Sequence, residues 1–321
     1  MEGAGTGTTY LQQAASPRRT VPFSLGLTLA MTLALSACSV RNTALRASAD
    51  LFESTSVAYA QDDDPILIAE MSPFGLKLLD ALLLKNPDDE KLLLAAARGY
   101  SQYAFGFVQQ KGEMLEDREL DAAKELYERA RKLYRRAAEY GWRGLDLRHA
   151  RLQERLHKDK ARTLKKLESD DVPLMYWTAV SLGALINLSK DSAELVAQVP
   201  LVEALMDRAL VLDADFNYGA IHQFLIGYEL NRRQRIGEPG QRAREHFHRS
   251  VQLTQGRQAA SFVILAETVM VREQNAEEFT RLLNTALKVD SDAMPAWRLA
   301  NLLWQQRARW LLERKDQLFT D

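Results

Sequence analysis

The sequence predicts an all-α protein assembled from antiparallel helical hairpins. Residues 72–110 carry apolar positions three and four apart on both sides of one break, Lys85-Asn86-Pro87-Asp88-Asp89. That pattern describes two amphipathic helices joined by a short turn. Leu120, Ala123, Tyr127, Ala130, Tyr134 and Ala137 form an unbroken three-four series whose opposite face is charged, as on one long helix. No stretch reads as a run of strands. With 321 residues and 46% hydrophobic content the chain can fill a core. Lys plus Arg number 42 against 43 for Asp plus Glu, so no net field draws it to nucleic acid.

The N-terminal residues 1–37 read as a lipoprotein signal peptide. Arg18-Arg19 precede an apolar run at 21–35 that is short for a membrane span, and Leu35-Ser36-Ala37-Cys38 ends it. Leu-Ser-Ala-Cys resembles the lipobox of bacterial lipoproteins, in which the Cys becomes the acylated first residue of the mature chain. Cys38 is then the lipid attachment site, and the chain is anchored to a membrane without spanning it. It is also the only cysteine, so the mature chain would hold no disulfide. Ser39 stands where an aspartate would resemble an inner-membrane retention signal, which leans towards the outer membrane. Pro17 and Val21-Pro22 fit a twin-arginine signal poorly. Residues 38–64 read as a tether. Its closing Asp62-Asp63-Asp64 lacks the alternating spacing of a calcium loop and is expected to cap the first helix of a domain over 65–321.

Within that domain, Gly141 is expected to stop the long helix, and residues 145–167 to continue as a basic, solvent-facing one. Asp170-Asp171-Val172-Pro173 reads as a helix start, with acidic groups at the positive end of the dipole and Pro in the first turn. The helix over 174–188 is almost wholly apolar. Its Ala179, Ser181, Gly183 and Ala184 let a neighbouring backbone come close, which makes it central to the packing. Helices are expected at 216–230, 240–253, 259–273, 276–287 and 295–318.

Residues 205–215 and 282–292 can be laid over one another, each ending in Ala-Leu-x-Leu/Val and a polar turn, and 78–88 fits more loosely. This is how the second helix of a tetratricopeptide repeat ends, although these copies lie further apart than that unit of about 34 residues. One hairpin cannot bury its own apolar stripe, whereas a stack of them does so and leaves a concave face. The expected fold is therefore a compact, tetratricopeptide-like helical-hairpin solenoid of about 10–13 helices after the signal peptide.

Several longer motifs carry a family resemblance. They are Ser72 with the seven residues after it, Leu94 with the eleven after it, Val108-Gln109-Gln110, and Tyr140-Gly141-Trp142-Arg143-Gly144. Val172-Pro173-Leu174-Met175-Tyr176-Trp177, Leu188-Ser189-Lys190-Asp191, Gly219-Ala220-Ile221-His222-Gln223-Phe224-Leu225-Ile226 and Arg298-Leu299-Ala300-Asn301-Leu302-Leu303 complete the set. Together they resemble the T-component (TatT) lipoproteins associated with tripartite ATP-independent periplasmic (TRAP) transporters, most weakly over 147–168. The resemblance implies a periplasmic lipoprotein that associates with the substrate-binding P component. It also implies a helical body with a cavity or pore suited to an apolar ligand.

Candidate cavity residues are Arg98, Tyr100, Gln102, Tyr103 and Phe107 on the second helix of the opening hairpin, Tyr176 and Trp177, and Tyr218, His222 and Glu229. Each aromatic taken alone reads as filler between hairpins. As a set, with Arg98 and Arg143 to hold a carboxylate head, they read as the lining of a small-molecule site. The partners expected are the P component, a hydrophobic or carboxylate small molecule, and the membrane through the lipid anchor, but no nucleic acid; a homo-oligomer stays open. A protein-assembly scaffold at the outer membrane, with no ligand of its own, is the other reading. No enzyme, metal or cofactor is expected. His246 and His248 would point about 200° apart on a helix, and neither a Gly-x-Ser-x-Gly elbow nor a mature thiol is present. Replacing Cys38 by Ala should release the protein from the membrane fraction with its helical circular dichroism unchanged; retention in that fraction would refute the lipid anchor.

Overall fold

The computed structural model describes Gly5 and residues 54–232 and 236–320. Cys38, the signal peptide over 1–37 apart from Gly5, and most of the tether lie outside the described residues. Contacts divide the chain into Met1–Asp50 and Leu51–Asp321, and every element below belongs to the second unit.

All regular structure among the described residues is helical, as the sequence predicts. The last part of the expected tether is itself helical, over residues 54–61 (α1). α2 (Pro65–Lys85) starts where the Asp64 carboxylate accepts from the N–H groups of Ile66 and Leu67 at 2.9 and 3.0 Å. Asp89 caps α3 (Glu90–Tyr103) through the Leu92 N–H at 3.0 Å, so the hairpin is present with its turn where the sequence puts it. α3 then runs on through a π-helical segment, Ala104–Gln109, into α4 (Gln110–Leu115).

Two expectations need correction. α5 (Leu120–Arg148) is not stopped by Gly141. Instead α8 (Val172–Asn187) crosses it so closely that a Cβ at Gly141 would overlap the Thr178 hydroxyl and lie 3.2 Å from its Cα. A Cβ at Gly144 would lie 2.7 Å from Leu174 Cδ2. The glycines serve contact between helices, which in sequence looks the same as a helix stop. Nor do residues 145–167 form one solvated helix. They contain the end of α5, then α6 (Leu152–Lys158) and α7 (Lys160–Leu164), and Leu152, Leu156 and Leu167 are core residues beneath the basic surface.

α8 holds the central place expected of it, against α3, α5 and α10 (Val199–Leu212). A single turn, α9 (Ala193–Val196), precedes α10. α11 (Phe216–Tyr228) then pairs with α12 (Pro239–Thr254). α13 (Ala260–Leu265) passes into a second π segment, Ala266–Met270, and packs with α14 (Ala276–Leu287). α15 (Arg298–Glu313) lies on α13 and α14, and α16 (Lys315–Leu318) follows. Phe247, Phe262, Phe279, Leu282, Leu283 and Leu311 fill the core here, each contributing about 1.5–3 kcal/mol relative to exposure.

α15 also reaches back to the opening hairpin. Trp304 packs on Phe105 with ring centroids 5.3 Å apart, and Arg298 donates to the Gln61 carbonyl at 2.9 Å. The two ends of the helical series therefore meet. Substituting Gly141 by Ala should separate α5 from α8 and cost about 1–3 kcal/mol, read as a lower Tm. An unchanged Tm would mean that the helices do not cross this closely.

Candidate functional site

Where the ends meet, a chain of buried and half-buried polar groups links five elements. Tyr134 of α5 donates its hydroxyl proton to Gln109 Oε1 at 2.7 Å, and Gln109 Nε2 donates to Glu113 Oε1 at 2.8 Å. Arg307 of α15 donates to Glu113 Oε2 at 2.6 Å and to Glu267 Oε2 at 2.8 Å. Gln109 closes the first π segment and Glu267 lies in the second, so Arg307 bridges both. Burial alone would lower the Arg307 pKa, but the charges and hydrogen bonds of Glu267 and Glu113 outweigh it and raise the pKa above its ordinary value. The guanidinium also lies over the Trp310 ring, 5.3 Å from its centroid. π segments recur at functional sites, and their aromatic surroundings here are Phe105 with Trp304 and Tyr103 with Phe107.

Tyr100 belongs to a separate network. Its hydroxyl and that of Tyr140 donate to the Asp80 carboxylate at 2.8 and 2.6 Å, and the two rings stack at 6.0 Å. Arg136 donates to the Tyr100 hydroxyl at 3.2 Å and covers its ring. Burial pushes Asp80 up, yet the hydrogen bonds from Lys77, Tyr140 and Tyr100 hold it below its ordinary value. Burial, followed by the bond to Asp80, pushes Tyr100 up to about 12. These groups fasten α2, α3 and α5 together.

The remaining candidates divide. Tyr103 is buried beside Phe107 and accepts from Arg129 at 3.0 Å, Gln102 is exposed and Arg98 is half-buried. Tyr176 is buried between Trp177 and Phe216, at centroid distances of 5.0 and 5.4 Å. Tyr218 does not share a face with His222 and Glu229. Asn217, Tyr218 and Gly219 all have positive φ inside α11, which turns Tyr218 outward against Trp297 at 54% exposure.

His222 and Glu229 are buried and are linked through His246, a residue that its spacing from His248 gives no reason to single out. The Nδ1 atoms of His222 and His246 are 2.8 Å apart, and His246 Nε2 lies 3.9 Å from Glu229. Burial, then the nearby Arg249, holds the His222 pKa below its ordinary value. Glu229 accepts from Arg232 at 2.8 Å and Arg242 at 2.6 Å, and Arg232 also holds Asp207. Burial pushes Glu229 up, but the two arginines bring it below its ordinary value.

These clusters combine fixed charges with aromatic surfaces. A groove of 210 Å³ between Leu230, Pro239, Val269 and Arg272 contains none of the candidate residues. It is smaller than the roughly 300–1,000 Å³ of ordinary ligand pockets. Arg307, Glu113 and Glu267 escape a reading of the sequence because no spacing relates residues 194 and 40 positions apart.

Among known proteins, the TRAP transporter T-component family matches this chain over residues 61–319. An uncharacterized protein of Treponema pallidum (strain Nichols) is 28% identical over 271 residues, 82% of this chain and 83% of the relative.

Replacing Arg307 by Met leaves Glu113 and Glu267 without their counter-charge. It should cost about 3–5 kcal/mol in urea unfolding at neutral pH. A variant as stable as the native chain at neutral pH would show that the bridge does not hold the ends together.

Proposed function

The chain belongs to the TRAP transporter T-component family, and on that premise we propose that it is an accessory protein on the periplasmic face of a bacterial membrane. It is held there by lipid on Cys38 after removal of residues 1–37, with the outer membrane favoured by Ser39. Its working contact is with the substrate-binding P component of the transporter, and it binds or passes a hydrophobic small molecule. Its role is non-enzymatic. The helical hairpins act as a tetratricopeptide-like stack whose ends are closed by α15.

One observation carries the ligand reading. Four aromatic pairs, Tyr103–Phe107, Phe105–Trp304, Tyr176–Trp177 and Phe224–Tyr228, each keep at least one ring only half-buried. Rings that served packing alone would be covered, whereas partly open rings beside a few fixed polar groups suit an apolar guest. Of the candidates, Tyr103, Phe107, Tyr176 and Trp177 fit that role; Tyr100 and Glu229 serve as internal ties.

The second reading, an assembly scaffold without a ligand, is favoured by a different observation, the exposed apolar side chains Leu67, Met71, Phe74 and Leu78 on α2. Affinity purification of the full chain from its own membranes should recover the P component, and native mass spectrometry of the purified chain should detect a bound apolar molecule. Recovery of the P component with no ligand selects the scaffold. Recovery of neither overturns both readings.

A further inference from the structure

α6 and α7 carry a face of one sign. Residues 143–166 hold nine Lys and Arg against three Asp and Glu, whereas the chain as a whole is balanced at 42 against 43. Leu152, Leu156, Thr163 and Leu167 turn inward and are buried, and Arg208 of α10 donates to the Leu167 carbonyl at 2.7 Å. Lys158, Lys160, Arg162, Lys165 and Lys166 are left outside, all exposed. The cations are therefore displayed on a surface whose underside is fixed.

These five differ from cations elsewhere on the helices. Lys77, Lys124, Arg131 and Arg281 each pair with an acid three residues away, at Asp80, Asp121, Glu128 and Glu278. On α6 and α7 the acids are engaged otherwise: Asp159 caps α7 through the Arg162 N–H at 3.1 Å, and Glu154 lies 3.6 Å from Arg151. None of the five makes an ion pair among the described residues. Five like charges within nine residues repel one another, and an anionic surface removes that repulsion.

The composition of the face indicates which anionic surface. Four of the five are lysines, and residues 150–168 contain no Phe, Tyr or Trp. Protein interfaces favour Arg and aromatic anchors and are depleted in Lys, whereas clustered lysines suit the diffuse negative charge of phospholipid headgroups. No large apolar side chain between 150 and 168 is exposed, so the contact is with the headgroups alone.

Position gives the contact a use. Arg143 donates to the Pro87 carbonyl at 2.8 Å and Arg148 pairs with Glu90 at 2.7 Å, so the end of α5, from which α6 and α7 follow, sits at the turn after α2. The chain enters α2 from α1 at the other end of its 21 residues, about 30 Å away. An anchor at Cys38 is one point of attachment, which does not fix an orientation. A second contact beyond the far end of α2 does. Resting on the reading that Cys38 carries the lipid, we propose that the α6–α7 face lies on the anionic headgroups of the bilayer that holds the anchor, and so sets how the helical body is turned on the membrane.

The chain would be purified from membranes, labelled with a fluorophore at Ala161→Cys on α7 or Asn284→Cys on α14, both exposed, and reconstituted into phosphatidylcholine vesicles with or without phosphatidylglycerol. With phosphatidylglycerol, a quencher on the headgroups should quench the label at 161 at least threefold more than the label at 284; without it the two should be equal. High salt should abolish the difference. So should Lys165→Glu combined with Lys166→Glu, with circular dichroism unchanged because neither lysine has a partner to lose. Equal quenching with phosphatidylglycerol, a difference that needs no phosphatidylglycerol, or one that survives salt or the reversed charges overturns the proposal. So does a charge reversal that lowers recovery of the P component and leaves the quenching unchanged, which would assign the face to an acidic protein. The anchor is read separately, since uptake of label by the native chain, whose only thiol is Cys38, refutes acylation. In that event Ala161→Cys in the Cys38→Ala background, added to the same vesicles, must still show quenching that depends on phosphatidylglycerol, and its absence overturns the headgroup contact too.

Discussion

The Arg307 guanidinium, placed between Glu113 and Glu267, is the interaction on which the arrangement of the helices depends. Stacked hairpins need only local contacts, and such a stack has no reason to bring its ends together. Arg307 gives it one, since it joins α15 to α4 across 194 residues. Removing this cation from water is costly, and the two carboxylates and the Trp310 face compensate for it. Any arrangement that separates the ends would strand the two acids or the arginine. The bridge thus acts more as a condition on which fold forms than as a source of stability.

That closure also ties the two π segments together. Both π segments are tied to the same arginine, Ala104–Gln109 through Gln109 and Glu113, and Ala266–Met270 through Glu267. The extra residue in a π turn rotates the side chains that follow it. Within this segment Phe105 faces Trp304 and Gln109 turns towards Tyr134. Half-buried rings thus lie beside the polar chain that ends on Arg307.

The parts of the fold governed by local chemistry are legible in the sequence. Asp64 and Asp89 cap helices where their spacing indicates, and the break at Lys85–Asp89 is the turn. Gly141 misleads because a glycine that admits a neighbouring helix and one that ends its own helix are identical until Thr178 is in place. The basic stretch after Leu145 hides three core leucines among charges. Helical periodicity puts Tyr218 on the His222 face, and three consecutive residues of positive φ cancel that periodicity. The π segments and the Arg307 bridge depend on tertiary partners far along the chain, and no window of sequence contains both sides. Within the site, ring size alone marks the aromatics, whereas the acids that organise them are indistinguishable in sequence from surface charge.

The central claim is that this closed helical body serves a TRAP transporter, and uptake tests it most directly. Transport of the system's own substrate would be followed in cells that have the chain, lack it, or regain it from a plasmid. The account requires uptake to fall on deletion and to return with the plasmid copy while the levels of the P component and the membrane subunits stay constant. Uptake that is indifferent to the chain, at constant levels of those subunits, would contradict it.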